Sequence, residues 1–420
     1  MLKRSIILRQ LLGAVIRDGT VTIIGPRGGQ MTFGSGTPKV TVRIRDRSAL
    51  LELGLHPDLK LGELYMGGRI AIEDGDISDL MSILMANLAR VRPPATLRMV
   101  RSIRRALKRW TQYNPVSLSK AHVAHHYDLS AKLYDLFLDN DRQYSCAYFS
   151  APGESLDEAQ IGKKRHIAAK LHLHRPDLSV LDIGSGWGGL ALDLARDCSA
   201  NVLGITLSEE QIAMAKERAS KAGLSDRCRF ELIDYRALEG TFDRIVSVGM
   251  FEHVGVHYYP TYFEKVRDLL KDDGVALVHT IGRSGGPGVT NPWISTYIFP
   301  GGYTPALSEM LPAIERSGLM ITDVEVLRLH YAETLREWRR RFKAHWKEAA
   351  ELYDERFCRM WEFYLAGAEM AFRHEGLVVF QVQLTKRVDA LPITRDYMLE
   401  SERTMRFAGV EEMPRQSRAA

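Results

Sequence analysis

A run of apolar residues that ends in an aspartate and a group of glycines is the clearest chemical signal in the sequence. Residues 180–189 read VLDIGSGWGG, and Asp182 follows the apolar run. Glycine lets the backbone approach a ligand closely, and the first amide groups of a following helix are free to bind it. The segment therefore predicts a small-molecule site where a buried strand turns into a helix.

Two classes of cofactor fit this glycine-rich segment. The glycines match the G-x-G-x-x-G pattern of dinucleotide sites, and Asp182 with glycines at every second position matches the D-x-G-x-G-x-G pattern of S-adenosylmethionine-dependent methyltransferases. A dinucleotide site usually has an acidic residue at the end of its second strand. Here the next apolar segment, residues 201–206, ends in Thr206. This favours the methyltransferase pattern and leaves a nicotinamide cofactor as an alternative.

The elements that would position this site alternate in type between residues 178 and 280, as in a parallel α/β sheet. The predicted strands are Ser179–Asp182, Asn201–Thr206, Arg229–Ile233, Asp243–Val248 and Val275–His279. The predicted helices between them are Leu190–Arg196, Ser208–Ala222 and Tyr259–Leu270. A long helical region from Ala332 to about Arg373 and an apolar strand, Leu377–Leu384, follow.

The first part of the chain has a different pattern. Residues 20 to 48 alternate apolar and polar side chains, which predicts a small antiparallel sheet, and a helix is predicted from Asp76 to Ala89. Pro93 and Pro94 cannot both lie inside a helix and mark a boundary. We therefore divide the chain into a small α+β domain (1–90), a basic helical linker (91–120), a methyltransferase-like domain (121–395) and a flexible tail (396–420).

The predicted linker carries a concentrated positive charge. Its residues 97–110 read LRMVRSIRRALKRW, with basic side chains, no acidic one, and apolar residues at helical spacing. One interpretation is a solvated helix between domains. The other is a helix that attaches to anionic lipid, where each basic residue contributes about 1 kcal/mol. Binding to nucleic acid is a distant third interpretation. The sequence leaves the first two open.

Composition excludes several classes of protein. The chain has 420 residues, of which 45% are hydrophobic, and its net charge is +5, far from the excess typical of a nucleic-acid-binding protein. The four cysteines are scattered, which favours neither a disulfide framework nor a metal cluster and fits a reducing cytoplasm. The sequence contains no stretch of 18 apolar residues without a charged one, so we expect no membrane-spanning segment.

Seven sequence blocks together resemble the cyclopropane-fatty-acid synthase family. In chain order they are HHYDLSAKLYDLFLDNDRQYSCAYF (125–149), LDIGSGWGG (181–189), GITLSEEQ (204–211), VGMFEHVG (248–255), HTIGR (279–283), NPWISTYIFPGG (291–302) and HYAETLREW (330–338). The resemblance implies a Rossmann-like class I methyltransferase sheet with a helical lid, preceded by a small lipid-associated domain. It thus implies an α/β fold class.

The resemblance also implies a reaction. The double bond of an unsaturated phospholipid acyl chain attacks the sulfonium methyl group of S-adenosylmethionine, and one proton then leaves the new methyl group as the cyclopropane ring closes. In the family a bound bicarbonate ion accepts this proton. A base of this kind must lie within hydrogen-bond reach of the proton, inside a site that excludes water.

Residue by residue, the family's bicarbonate cage falls on Cys146, Glu252, His279 and Tyr331, and Ile281 would contribute its backbone. We hypothesise that Glu252 accepts a hydrogen bond from the bicarbonate hydroxyl while His279 and Tyr331 donate to the ion. The cofactor contacts that the resemblance implies are Tyr144, Ser145, Asp182, Gly184, Ser185, Gly186, Gly188, Thr206, Leu207, Gln211, Tyr235, Arg236 and Gly249. Further aromatic candidates near the sulfonium are Trp187, Phe251, Tyr258, Tyr297 and Phe299.

One position departs from the family. Many members have a cysteine in the late helix where this chain has Ala368, and Cys358 lies ten residues earlier. Attack of a double bond on a sulfonium needs no thiolate nucleophile, so we expect the chain to be active.

The resemblance implies a cytoplasmic enzyme that is peripheral on the inner membrane face. Its partners would be unsaturated phospholipids at an anionic surface, and we expect no binding of nucleic acid. The resemblance also allows a homodimer. Three alternatives remain: a related lipid C-methyltransferase that leaves a methyl or methylene branch, a non-catalytic lipid-binding protein, and a nicotinamide oxidoreductase.

Overall fold

The computed structural model describes residue 13, residues 15–90 and residues 130–405. The basic segment 97–110 and the start of the first sequence block lie outside these ranges. We call residues 15–90 the first unit and residues 130–405 the second unit. The strands of the first unit are β1 (Asp18–Ile24), β2 (Gln30–Ile44) and β3 (Ile70–Asp74). The strands of the second unit are β4 (Ser179–Ile183), β5 (Asn201–Thr206), β6 (Cys228–Leu232), β7 (Phe242–Val248), β8 (Leu270–Arg283), β9 (Met320–Leu327) and β10 (Leu377–Thr385).

The described helices are numbered in chain order. They are α1 (Arg47–Leu55), α2 (Pro57–Met66), α3 (Ile77–Leu88), α4 (Ala131–Asp135), α5 (Leu156–Lys170), α6 (Gly189–Asp197), α7 (Glu209–Lys221), α8 (Tyr259–Leu269), α9 (Pro292–Tyr297), α10 (Leu307–Ser317), α11 (His330–Ala344), α12 (Trp346–Leu352), α13 (Glu355–His374) and α14 (Asp396–Thr404).

The second unit is built on a seven-stranded sheet with the order β6-β5-β4-β7-β8-β10-β9. The strands from β6 to β8 are parallel, and β10 pairs antiparallel with both β8 and β9. Alternate side chains of β4 enter different cores, since Val180 packs on one face of the sheet and Leu181 on the other. Apolar side chains on both faces explain why these strands read as nearly continuous hydrophobic runs. The predicted α/β fold class is confirmed.

The first unit contains the predicted antiparallel sheet, but with one strand that the sequence pattern did not predict. β2 pairs with β1 and also with β3, whose Ile70 lies opposite Ile44. The predicted helix after residue 76 is present as α3. Asp76 is its N-cap and forms a capping box with Asp79, which explains where the helix begins.

The long helical region after residue 330 is divided into α11, α12 and α13. The break before α13 is at Asp354, whose backbone is extended and whose carboxylate accepts a hydrogen bond from the Phe357 amide. α13 packs against α11 on one side and against α2 and α3 of the first unit on the other. One hydrophobic core therefore continues from the first unit through α13 to the side chains around Tyr331.

The end of the described chain is more ordered than the sequence indicated. Residues 396–420 were predicted to form a tail, but α14 occupies Asp396–Thr404. Met398 is buried, and Glu402 Oε2 lies 3.2 Å from His166 Nδ1 on α5. These contacts dock the helix against the second unit. No helix within the described ranges combines the length and apolar character that crossing a bilayer requires.

Candidate active site

A cavity of about 160 Å³ lies at the carboxyl ends of β4, β5 and β7, where ligands bind in sheets of this type. The predicted cofactor residues line it, with one exception. Those on the wall are Tyr144, Ser145, Asp182, Gly184, Ser185, Gly186, Thr206, Leu207, Gln211, Tyr235, Arg236 and Gly249. Residues that are more than 100 positions apart in the sequence are thus brought to one wall.

The exception is Gly188, which is not part of the cavity wall. It is the N-cap of α6 with a φ of +83°, and a Cβ atom there would lie 2.7 Å from Phe230 Cζ and 3.0 Å from Ala215 Cβ. Gly188 therefore serves the turn and the packing of α6.

The glycine-rich loop is held by β5. The amides of Gly184 and Ser185 both donate to the Ile205 carbonyl, at 2.9 and 3.0 Å. These two amide groups are therefore engaged by the neighbouring strand. The loop still presents Gly186 and Trp187 to the cavity.

Two further parts of the wall are held by local hydrogen bonds. Thr206 Oγ1 donates to Gln211 Oε1 at 2.9 Å, which joins the end of β5 to the first turn of α7. The Arg236 side chain donates from Nε and Nη2 to Asp234, at 2.8 and 2.7 Å, and its guanidinium lies 5.5 Å from the centre of the Tyr235 ring. The aromatic face of Tyr235 is thereby fixed at the cavity.

Lys163 and His253 also line the larger cavity, and the sequence reading missed both as site residues. Lys163 lies on α5 in a charged segment, LDEAQIGKKRH, that reads as a solvated helix. Nothing in the spacing of that segment distinguishes it from the exposed lysines of other helices.

A second cavity of about 100 Å³ adjoins the first. All four predicted cage residues line it: Cys146, Glu252, His279 and Tyr331. The two cavities share Tyr144, Ser145, Gly249 and His253. A ligand in the larger cavity and one in the smaller would therefore meet at this common wall.

Glu252 lies in a short 3₁₀ helix after β7. Its Oε1 accepts a hydrogen bond from the Ile281 amide at 2.6 Å, whereas its Oε2 is buried and has no hydrogen-bond partner among the described residues. Burial raises the pKa of Glu252 to about 7, although the Ile281 amide acts in the opposite direction. The carboxyl group is therefore divided between its neutral and charged forms near neutral pH.

His279 is fully buried on β8, and its Nδ1 lies 3.1 Å from Gln381 Nε2 on β10. Burial lowers the pKa of His279 to about 3, so the imidazole is neutral at physiological pH. With the Gln381 amide donating to Nδ1, the ring proton resides on Nε2. A neutral imidazole that can donate from Nε2 agrees with the donor role hypothesised for His279.

Cys146 and Tyr331 complete the wall of the smaller cavity. The Sγ of Cys146 lies 3.3 Å from the Ala147 carbonyl oxygen, and burial raises the pKa of the thiol well above its usual range. Tyr331 lies in the first turn of α11, with its ring edge-on to Trp338 at 5.7 Å between centroids. Cys146 is thus a neutral, weakly polar group here.

The aromatic candidates separate into two groups. Trp187 lines the larger cavity and Phe299 the smaller one. Phe251 instead packs in the core against Tyr259, Tyr258 lies 5.7 Å from the guanidinium of Arg236, and Tyr297 donates to Glu63. These last three candidates line neither cavity.

The late-helix position that departs from the family lies outside both cavities. Ala368 on α13 packs against the main core, and Cys358 directs its Sγ toward the Trp346 carbonyl. Among the described residues, no group of three or more His, Cys, Asp or Glu side chains is arranged to hold a metal ion. The smaller cavity thus has a neutral imidazole and a titratable carboxyl group on its wall, and aromatic side chains line both cavities.

Comparison with known proteins identifies the family. A family model described as mycolic acid cyclopropane synthetase matches residues 117–382. The cyclopropane-fatty-acyl-phospholipid synthase of Escherichia coli is 37% identical over 360 residues, which cover 84% of this chain and 90% of that protein. A probable fatty acid methyltransferase of Pseudomonas putida is 36% identical over 390 residues, covering 88% and 94%.

Solved structures agree with this result. The cyclopropane synthase MmaA2 of Mycobacterium tuberculosis, 33% identical, aligns with a TM-score of 0.61 over 64% of this chain and 98% of its own. The mycolic acid cyclopropane synthase CmaA1, 33% identical and solved with S-adenosylhomocysteine, aligns with a TM-score of 0.60 over 65% and 99%. The chain therefore belongs to the mycolic acid cyclopropane synthetase family and is an S-adenosylmethionine-dependent methyltransferase.

Proposed function

We propose that the protein transfers a methylene group from S-adenosylmethionine to the double bond of an unsaturated phospholipid acyl chain, forming a cyclopropane ring, with bicarbonate as the base. The observation that carries the proposal is the pair of adjoining cavities. The larger one is lined by the cofactor residues and the smaller one by Glu252 and His279, and Ser145 and Gly249 belong to both.

The larger cavity suits the methyl donor. S-Adenosylmethionine supplies the transferred carbon as a methyl group on a sulfonium. Tyr235 presents an aromatic face beside Arg236, and Trp187 presents another near the glycine-rich loop. Such faces suit an adenine ring and a sulfonium, because aromatic rings attract cations in a dry site.

The smaller cavity suits a bicarbonate ion. When bound, bicarbonate supplies the base that removes the proton released on ring closure. The buried Oε2 of Glu252 has no hydrogen-bond partner among the described residues, and an orphaned polar atom of this kind needs a polar group to satisfy it. His279 carries a proton on Nε2, and Tyr331 and Cys146 also line the space. These four residues would hold the ion.

The remaining walls are largely aromatic and aliphatic and suit an acyl chain and a developing positive charge. Tyr144 stacks on Trp338 at 5.1 Å between centroids, and its hydroxyl lies 3.0 Å from that of Tyr364. Phe299, Tyr303 and Ile294 line the smaller cavity and leave it largely apolar. An apolar wall accommodates an acyl chain, and aromatic rings favour the positive charge that develops on its double bond.

The substrate class rests partly on the relatives, since the Escherichia coli protein is a cyclopropane-fatty-acyl-phospholipid synthase by name. We propose that the protein works as a peripheral enzyme on the cytoplasmic face of an anionic membrane, because its basic segment 97–110 suits such a surface.

The test is a reaction of the purified protein with methyl-labelled S-adenosylmethionine and vesicles of an unsaturated phosphatidylglycerol, with and without added bicarbonate. We expect a labelled lipid that has gained one CH₂ and that resists catalytic hydrogenation, as a ring does. A labelled product that takes up hydrogen would instead indicate a methylene branch, and an unlabelled lipid would contradict the proposal. A requirement for bicarbonate in carbonate-depleted buffer tests the base separately.

A further inference from the structure

The ammonium group of Lys163 is buried beside Ser145, which lines both cavities. The Lys163 side chain is fully buried and reaches the wall of the larger cavity from α5. Its Nζ donates to Gln143 Oε1 at 2.5 Å and to Ser145 Oγ at 2.8 Å. An ammonium group has three N–H donors, so one donor remains beyond these two hydrogen bonds.

No carboxylate of the described chain pairs with this ammonium group within 4.0 Å. The nearby Asp141 is already paired with Lys164 and Arg218. Asp139 accepts hydrogen bonds from the amides of Gln143 and Asp141, at 2.8 and 3.0 Å. Burial lowers the pKa of Lys163 to about 8 while Asp139 and Asp141 oppose this, so the ammonium is largely charged at neutral pH.

The other charged groups on the wall of the larger cavity show why Lys163 stands apart. Arg142 pairs with Asp135 and Arg236 pairs with Asp234. Asp182, at the end of β4, is buried. Burial raises its pKa to about 7, although the positive charge of Lys163 acts in the opposite direction. The cavity wall therefore has, at Lys163, a positive group that no carboxylate of the described chain contacts as an ion pair, and a titratable carboxyl group at Asp182.

This pattern constrains how a methyl donor lies in the cavity. S-Adenosylmethionine has a cationic sulfonium, a cationic amino group and one anionic group, its carboxylate. A buried ammonium would oppose binding of this ligand unless it meets that carboxylate, because unpaired buried charges are costly. The charged pair would in turn be strengthened by the low dielectric of the site.

We propose that Lys163 determines cofactor specificity by binding the carboxylate of the amino-acid end of S-adenosylmethionine with its remaining N–H, next to Ser145. This inference rests on the proposed place of the cofactor in the larger cavity. It predicts that the site distinguishes ligands by their carboxylate, which neither the glycine-rich loop nor the aromatic walls would do.

The experiment compares two ligands that differ only in this group. Calorimetry measures the Kd of S-adenosylhomocysteine and of its decarboxylated analogue for the wild type, Lys163→Met and Lys170→Met. We expect Lys163→Met to weaken S-adenosylhomocysteine about 30-fold or more and the analogue less than about 3-fold. Lys170 is the matched control on the same helix: it is buried, pairs with Glu325 and Asp323, and lines neither cavity.

Equal weakening of both ligands by Lys163→Met would overturn the inference and assign Lys163 a structural role. If Lys163→Met does not fold, Ser145→Ala replaces it, because this change removes one of the two acceptors that position the ammonium. We then expect a loss of roughly 5-fold for S-adenosylhomocysteine alone, and an equal loss for the analogue would overturn the inference. Failure of the wild type to bind either ligand would contradict the proposed function instead.

Discussion

The amide nitrogen of Gln381 lies 3.1 Å from Nδ1 of His279, and both side chains are fully buried between β8 and β10. The two residues are directly paired in the antiparallel register of these strands. A hydrogen bond donated to Nδ1 by the Gln381 amide leaves the imidazole proton on Nε2. The strand pairing thus sets the tautomer of a proposed cage residue.

Replacing Gln381 should therefore impair turnover through His279. We expect Gln381→Leu to lower kcat about 10-fold, the cost of roughly one hydrogen bond, with little effect on the Kd of S-adenosylhomocysteine. Nitrogen-15 NMR of the His279 ring should show mixed tautomers. Gln383→Leu is the control, because Gln383 lies on the same strand but bonds to Lys170 and Tyr397 away from the cavities. An unchanged kcat in Gln381→Leu would contradict this role.

Glu252 is expected to affect turnover far more than cofactor affinity. Glu252→Gln keeps the size of the side chain but exchanges a carboxyl oxygen for an amide donor beside the proposed anion site. We expect kcat to fall by about two orders of magnitude, as for the loss of an acid–base or electrostatic group, while the Kd of S-adenosylhomocysteine changes less than about 3-fold. Steady-state kinetics and calorimetry measure the two quantities. Equal losses in both would show that Glu252 serves binding.

The same substitution should alter how stability depends on pH. The pKa of Glu252 is raised from 4.5 to about 7 in the folded protein. Between these two pH values the carboxyl group is therefore mostly ionised in the unfolded chain but mostly neutral in the folded protein. Its contribution to stability is present below pH 4.5 and is lost as pH rises toward 7. Glu252→Gln should therefore gain about 3 kcal/mol of unfolding free energy relative to the wild type between pH 4.5 and 8. Denaturant titrations at the two pH values measure the difference, and a constant difference would contradict it.

Twelve of the thirteen residues that the family resemblance implied as cofactor contacts line the larger cavity, because they lie in short local motifs that can be matched along the sequence. The sequence reading missed Gln381, although a glutamine within the apolar segment LVVFQVQLT was a signal of a buried polar contact. It also missed Lys163, since burial of a lysine depends on which elements pack over it. The prediction of a flexible tail fails over Asp396–Thr404 for the same reason, because α14 is stabilised by contacts with α5 that no local pattern encodes.

The cysteines should be unreactive and unnecessary as nucleophiles. Burial raises the pKa of Cys198 and Cys228 to about 12 and that of Cys358 to about 11, and it raises the pKa of Cys146 further. Only a thiolate alkylates readily. We expect iodoacetamide at pH 7.5 to leave most of the activity, and mass spectrometry to find the four thiols largely unmodified. Rapid inactivation that follows modification of Cys146 would contradict this.

The first unit is expected to position the wall of the smaller cavity. Gly62 on α2 lies against Trp293 on α9, where a Cβ atom would come 2.7 Å from the indole Cε2. Trp293 also donates to Met66 Sδ at 3.2 Å, and the next residue, Ile294, lines the smaller cavity. Displacement of α9 by a methyl group at position 62 would therefore move that wall.

We expect Gly62→Ala to lower kcat/KM for lipid vesicles at least 5-fold through this displacement, and to lower stability by about 1–3 kcal/mol through overpacking, while S-adenosylhomocysteine still binds. Gly54→Ala is the matched control, because Gly54 is also helical and a Cβ atom there meets nothing within 4 Å. That change should leave activity intact and raise stability by about 0.5–1 kcal/mol through better helix propensity. If Gly62→Ala were as active as Gly54→Ala, the contact between α2 and α9 would have no part in shaping the lipid site.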